Sequence, residues 1–317
     1  MSWFGAEIDG PMVATRTVHF AASAITAGAL IFRNFVAEPA LGAEPHANAL
    51  VDRQLRATAW IGIAFAVVSG LTWILLLTTS LAGEGLEEAV TSGALRDVLG
   101  LTQFGWVSQI RLGLTIVLSV CLAVDRSALW RRLALAAAVS MVVSIAWTGH
   151  AASTPSAPGY AHLASDALHL AAAAAWVGGL VPLVLLLRAL GCHRHRALLE
   201  LDAVRRFSTL AIVSVATLIL SGFVNAWILV GSFRGLVVTE YGQLLMLKLA
   251  AFAVMLILAA YNRLVLTPRL ASLSDAARQD ALHGLSRNTS IEIVLGFSIF
   301  ALIAVLGTLH PAVHLMN

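Results

Sequence analysis

The stretch YAHLASDALHLAAAAAWVGGL, residues 160–180, is apolar enough to cross a bilayer, yet it carries His162, Asp166 and His169. Their spacing of i, i+4 and i+7 puts all three on one face of a helix. Ionisable groups within a membrane span are costly and mark functional sites by default. The face is therefore expected to belong to a metal or cofactor site between helices.

The rest of the chain supports the membrane reading. Of 317 residues, 59% are hydrophobic and only 12% charged, and the mean hydropathy is +0.86, which leaves too little polar surface to cover a water-soluble fold. Eight apolar runs approach the ~20 residues that a transmembrane helix needs. They cover 11–35, 58–81, 104–124, 129–150, 160–187, 207–231, 241–266 and 290–310. The runs are continuous rather than alternating, which excludes barrel strands. The predicted fold is all-α: a polytopic bundle of eight transmembrane helices.

Basic residues set the orientation. Arg33, Arg53 and Arg56 follow the first run, Arg126, Arg131 and Arg132 the third, Arg188, Arg194, Arg196, Arg205 and Arg206 the fifth, and Arg263, Arg269, Arg278 and Arg287 the seventh. Opposite-side segments hold only Arg96 and Arg234. Both termini are thus expected on the periplasmic side of a bacterial inner membrane. The net charge of +3 describes a cytoplasmic rim and gives no support to nucleic-acid binding. An acidic start (Glu7, Asp9) leading into a full-length run reads as an uncleaved first helix. Cys121 and Cys192 have neither metal-ligand nor redox spacing, so no structural disulfide is expected.

The second half of the chain rhymes with the first. Val18-His19-Phe20-Ala21-Ala22, with Gly28 and Leu30, aligns with Leu168-His169-Leu170-Ala171-Ala172, with Gly178 and Leu180. Ser69-Gly70 matches Ser221-Gly222, Phe104-Gly105 with Arg111 matches Tyr241-Gly242 with Lys248, and His150 matches His310. This predicts a 4+4 repeat, residues 1–150 and 151–317, forming one membrane domain. An even number of spans per unit makes the repeat parallel, with an axis along the membrane normal and shared sites at the interface. His162 and Asp166 have no partner in that alignment.

The candidate metal set in the outer half is His19, His150, His169, His310, His162, Asp166 and Met12. Imidazole with thioether leans towards copper. Arg16, Arg111, Asp166, Lys248 and Glu292 are ionisable within runs and, at ~2.5–3.5 kcal/mol each on insertion scales, need partners. Asp166 either pairs with Arg111 or Lys248 or serves the metal by orienting His169. Arg111, Lys248, Asn225 and Glu292 are candidates for transport or for supporting the ligands, although Glu292, near the inner end of its run, reads more readily as a cap or an interfacial ion pair. Ser214, Thr217, Ser221 and Asn225 form a polar stripe that either glues helices together or lines a path inward. At its inner end, Cys192, His193 and His195 are candidates for cytoplasmic release. Lys248 is the chain's only lysine and follows no Gly-rich loop, so ATP-driven pumping has no motif to support it.

From Arg205 onward the pattern is specific: RRFSTLAIVSVATLILSGFVNAWI, TEYGQLLMLKLAAF, AAYNRLVLTPRL and SIEIVLGFSIFALIAVLGTLHP. Arg206-Phe207-Ser208, Ser221-Gly222, Tyr241-Gly242 with Lys248, Asn262-Arg263, Glu292 and His310-Pro311 carry a resemblance to the CopD family of copper resistance and copper import membrane proteins. It is strongest over 205–312, while WTGHAA and DALHLAAAAAWVGGL are similar to the family's less regular N-terminal part. The resemblance implies a non-enzymatic inner-membrane protein that moves copper from periplasm to cytoplasm, with a periplasmic copper-binding partner of the CopC type. Some relatives carry that partner as a fused domain, for which this chain has no room. The family brings no ligand set, so the candidate ligands rest on orientation and repeat alone. Histidines on facing helices also suit axial ligation of haem b, and a membrane redox protein is the alternative.

Overall fold

The computed structural model describes the backbone of residues 2–3, 6–7, 9–83, 85–149, 157–190, 197–272, 274–309 and 312–315. Apart from a two-residue antiparallel pair, Ser2–Trp3 with Ala6–Glu7, all regular structure among these residues is helical. Eight helices are long and apolar enough to cross a membrane: Gly10–Leu41, Pro45–Ala82, Gln103–Val124, Ala128–Thr148, Gly159–Leu190, Ala197–Val230, Glu240–Arg269 and Asp275–Leu306. They are numbered here as spans one to eight.

Span ends are set by caps rather than by where hydropathy fades. Asp9 accepts from Met12 N at 3.0 Å and Pro11 occupies the first turn of span one, where its missing N–H costs nothing. Pro45 opens span two and Ser274 caps span eight, accepting from Ala277 N at 3.5 Å. Both helices therefore begin well before the apolar runs that start at residues 58 and 290, and polar stretches expected as loops are helical extensions. The connection between spans two and three holds two short helices, Leu86–Thr91 and Ala94–Leu101. Its counterpart between spans six and seven is Phe233–Val238.

Three spans contain a five-residue π-helical turn, at Arg33–Ala37, Ala174–Gly178 and Asn262–Leu266. Each lies just ahead of a proline: Pro39, Pro182 and Pro268. A proline within a helix has no N–H to give the fourth residue back and crowds that carbonyl. The residues four back, Phe35, Gly178 and Leu264, all fall within the wide turns, which absorb the mismatch.

Spans one and five form the centre. Within their apolar stretches 83% and 67% of residues are buried, against 6% in span seven. They cross at Gly28 and Gly178. A Cβ on Gly28 would run into the Gly178 carbonyl carbon, and one on Gly178 into the Ala24 carbonyl. Ala24-xxx-Gly28 thus faces Ala174-xxx-Gly178, a small-residue contact of the kind that lets membrane helices approach backbone to backbone. Outward faces carry large exposed apolar side chains, among them Phe65 at 57%, Phe223 at 69% and Trp227 at 70% exposure, which suits hydrocarbon rather than water.

The basic residues gather with carboxylates at one end of the bundle. Arg33 meets Asp52 and Asp125, each at 2.7 Å, Arg56 meets Asp125 at 3.1 Å, and Arg131 meets Glu38 at 3.0 Å. In the second half Arg278 pairs with Glu200 and Arg206 with Asp202 at 2.8 Å. Cys121 is buried and unbonded to another cysteine.

Candidate functional site

The face read from residues 160–180 lines a cavity of about 490 Å³ between spans, towards the end opposite the ion-pair rim. Its polar lining includes Arg16, His162, Asp166, His169, Asn225 and Lys248, set in a wall of leucine, valine, isoleucine and aromatic side chains. His162 is 1% exposed.

His169 is held by span six. Its Nδ1 lies 3.0 Å from Ser221 Oγ, and the Ser221 hydroxyl donates to Thr217 O at 2.6 Å. A hydroxyl has one proton, so Ser221 accepts from His169 Nδ1–H. The second nitrogen, Nε2, then keeps its lone pair and has no hydrogen-bond partner among the described residues. That is the form in which imidazole binds a metal, with the other nitrogen oriented by a fixed hydrogen bond. Ser165 Oγ donates to Ser221 O at 3.0 Å and ties spans five and six together. Asn225 Nδ2 donates to Asp166 Oδ1 at 3.3 Å, and the Asn225 carbonyl oxygen is buried without a partner. Half-buried Lys248 comes in from span seven, and its charge acts on both Asp166 and His169.

The first half contains a cluster of the same plan with different chemistry. His19 Nδ1 lies 3.1 Å from Ser69 Oγ and 3.1 Å from Ala66 O, and the Ser69 hydroxyl donates to Phe65 O at 2.6 Å. Here Nε2 is occupied: it accepts from Arg111 Nη1 at 3.1 Å, while Arg111 Nε donates to Ser144 Oγ at 3.1 Å. His19 is 2% exposed, meets Trp73 edge-on at 5.6 Å, and does not line the cavity. The Arg16 guanidinium lies 5.2 Å over Trp73 and 5.8 Å over Phe20, with its buried Nε unpartnered. No carboxylate pairs with it among the described residues.

The two clusters correspond position by position. Met12, Arg16 and His19 stand 150 residues before His162, Asp166 and His169, and Ser69, Gly70 and Trp73 stand 152 before Ser221, Gly222 and Asn225. Each glycine makes room for the imidazole: a Cβ would lie 3.3 Å from His19 Cε1 at Gly70 and 3.5 Å from His169 Cε1 at Gly222. Arg111 and Lys248 follow helix starts capped alike, Thr102 on Gly105 N and Thr239 on Gly242 N, each at 3.0 Å. The sequence reading gave His162 and Asp166 no counterpart. The offset that aligns the two histidines pairs them with Met12 and Arg16, so the signal was present. Trp73 was also missed as a site residue, because its role depends on a cation–π contact with another span.

The remaining expected residues are dispersed. Met12 is buried among apolar side chains, outside the cavity lining. Arg111, a possible partner for Asp166, is used by His19 and Ser144 instead. Glu292 is neither a cap nor an ion pair: 2% exposed, it accepts from Asn262 Nδ2 at 2.8 Å, and Asn262 Oδ1 accepts from Asn288 Nδ2 at 2.8 Å. His150, His310, Cys192, His193 and His195 lie outside the described residues. Among those described, no three His, Cys, Asp or Glu side chains are grouped to hold a metal ion.

Fold and site together define a multi-pass helical membrane protein with a largely apolar cavity inside the bundle that holds a few polar side chains. The family follows from comparison. Residues 7–160 match the N-terminal domain of copper resistance protein D-like proteins, and residues 201–306 match copper resistance protein D. The chain belongs to the copper resistance protein D family. It is 30% identical over 302 residues to the inner membrane protein YebZ of Escherichia coli (94% of this chain, 98% of YebZ) and 32% identical over 284 residues to copper resistance protein D of Pseudomonas syringae pv. tomato (85% and 88%). It is also 31% identical over 250 residues to the copper transport protein CutJ of Bacillus subtilis, covering 76% of this chain and 43% of CutJ. No solved structure matches it.

Proposed function

We propose that this protein takes copper from the periplasmic side of the inner membrane and passes it towards the cytoplasm without ATP hydrolysis, using the cavity of the second half as its binding site. The observation that carries the reading is the open Nε2 of His169 in a copper-resistance family member, fixed by Ser221 and facing a cavity that also holds His162 and Asp166. Asp166, Asn225 and Lys248 surround the ligand, and His150 and His310 are candidates for completing it from the outer ends of spans four and eight. The relatives named for copper resistance and copper transport support the cargo.

In this reading the chain is two four-span halves, 1–150 and 151–317, related by an axis along the membrane normal. The paired clusters and the reciprocal Gly28–Gly178 crossing support it. The ion-pair rim faces the cytoplasm and both termini the periplasm, where a carrier of the CopC type delivers copper. Cys192, His193 and His195 receive it on the inner side. The haem alternative loses its symmetrical ligand pair, because His19 cannot ligate iron while Arg111 holds its Nε2.

Copper accumulation in cells producing wild-type protein or His169→Ala at equal levels tests the reading. Accumulation should fall to that of cells lacking the protein. Equal accumulation by the two would sink it.

A further inference from the structure

We infer that Lys248 controls whether the Nε2 lone pair of His169 is open to a metal ion, acting as a movable counterpart of Arg111, which holds the same atom of His19 closed. The inference rests on the reading of His169 as a copper ligand. It makes Lys248 a positioning residue for that site.

The first half displays the closed arrangement. Arg111 Nη1 donates to His19 Nε2 at 3.1 Å, and the guanidinium is held in place from its other edge by the Nε bond to Ser144. A lone pair that accepts a hydrogen bond is not available to a metal. The setting of His169 shares three features with that of His19: a serine accepting from Nδ1, a glycine one residue further on against the ring, and a basic side chain from the third span of its half. The difference lies in the basic group. Arginine is a rigid fork that fixes itself by several bonds at once, whereas lysine is a point charge on a flexible four-carbon stem.

Lys248 also has a choice that Arg111 lacks. At the position of Asp166 the first half has Arg16, and no carboxylate pairs with Arg111 among the described residues. Lys248 lines the same cavity as Asp166 and His169, where its charge acts on both. With its ammonium on Asp166, His169 Nε2 is free and an incoming ion can bind. With its ammonium donating to Nε2, the imidazole is closed, as His19 is, and a bound ion is displaced. The lysine and the metal therefore compete for one lone pair, giving the site a means of release that needs neither nucleotide nor redox change.

The test is Cu(I) binding by purified protein in detergent, in competition with the chromophoric chelator bicinchoninate, for wild type, His169→Ala, Lys248→Arg and Lys248→Leu. Wild type should bind and His169→Ala should not. If wild type fails to bind, or His169→Ala binds equally, the copper reading itself falls and this inference with it. Lys248→Arg should weaken binding by tenfold to a hundredfold, on the order seen when groups orienting a metal ligand are altered. Lys248→Leu should tighten it, because nothing then competes for Nε2 and leucine brings no ligand atom of its own. Opposite signs support the inference, whereas equal weakening by both variants, or no change in either, overturns it.

A second measurement keeps the outcome independent of metal and of partial misfolding. The imidazole ¹⁵N signal of His19 Nε2 marks a capped nitrogen within the same molecule. In metal-free Lys248→Arg the His169 Nε2 signal should move to the His19 position, and in Lys248→Leu it should move away from it. An unchanged signal in both variants overturns the inference.

Discussion

His19 and His169 occupy corresponding places in two similar clusters and are bonded differently, the first through both ring nitrogens and the second through Nδ1. Around His19 stand two cations, Arg16 and Arg111, with Trp73 covering one of them. Around His169 stand a carboxylate, an amide and a lysine, with His162 one turn beyond Asp166. A metal cation approaching His19 would meet unscreened like charge in a low-dielectric interior and an imidazole already bonded. One approaching His169 meets a carboxylate and an open nitrogen. The two clusters thus share the geometry that positions a histidine and differ at three places, Arg16 for Asp166, Trp73 for Asn225 and Arg111 for Lys248, and in the reading proposed above these differences separate a strut from a ligand.

The comparison depends on the two halves meeting at the Gly28–Gly178 crossing, and breaking that contact should have the largest effect. A side chain at Gly178 must enter the Ala24 carbonyl, and both backbones belong to the most buried spans. Gly178→Val should therefore abolish recovery of monodisperse protein from detergent-solubilised membranes, seen by size-exclusion chromatography. The same change on an outward face, Gly113→Val in span three, where an added Cβ meets nothing within 4 Å, should leave the elution profile unaltered. A normal profile for Gly178→Val would mean that the halves are held together elsewhere.

The next test separates strut from ligand. His19→Ala removes the acceptor of Arg111 and leaves a buried guanidinium nitrogen unpaired, a loss of about 1–3 kcal/mol for a buried polar group without its partner. Thermal unfolding in detergent should show lower stability, while the variant that folds should still bind copper. His169→Ala should do the reverse, losing copper with little change in unfolding temperature, because the Nε2 of His169 has no hydrogen-bond partner among the described residues. If both variants lose copper equally, the two histidines form one site and the asymmetry between them has no functional meaning.

The eight spans were legible because a membrane helix must be apolar over about 20 residues, which sequence displays directly. Their ends were not, since spans two and eight run on through polar residues until Pro45 and Ser274 set the start. The pairing of His19 with His169 was readable from VHFAA and LHLAA. That one ring is capped was not readable, because its partner Arg111 is 92 residues away and carries no mark in the sequence that distinguishes it from Lys248 as a donor. Glu292 misled for a similar reason: hydropathy placed it near a helix end, whereas the helix continues and the carboxyl is buried against Asn262.

The smallest effect expected is also the most specific, and it concerns the serines. Ser69 and Ser221 both accept from the Nδ1–H of their histidine, but His19 has a second acceptor in Ala66 O at 3.1 Å, while His169 has none among the described residues. Ser69→Ala should therefore leave the tautomer of His19 intact, with Ala66 O still holding Nδ1–H and Arg111 still donating to Nε2. Ser221→Ala frees the His169 ring to rotate and to carry its proton on either nitrogen, which lowers the fraction presenting an Nε2 lone pair to the cavity. Copper affinity should fall about tenfold in Ser221→Ala, the lower end of the range for groups that orient a metal ligand. The imidazole ¹⁵N spectrum should show mixed tautomers at His169 alone. A fall of the same size in Ser69→Ala would mean that the first half contributes to the metal site after all, through a route that the hydrogen bonds around His19 do not provide.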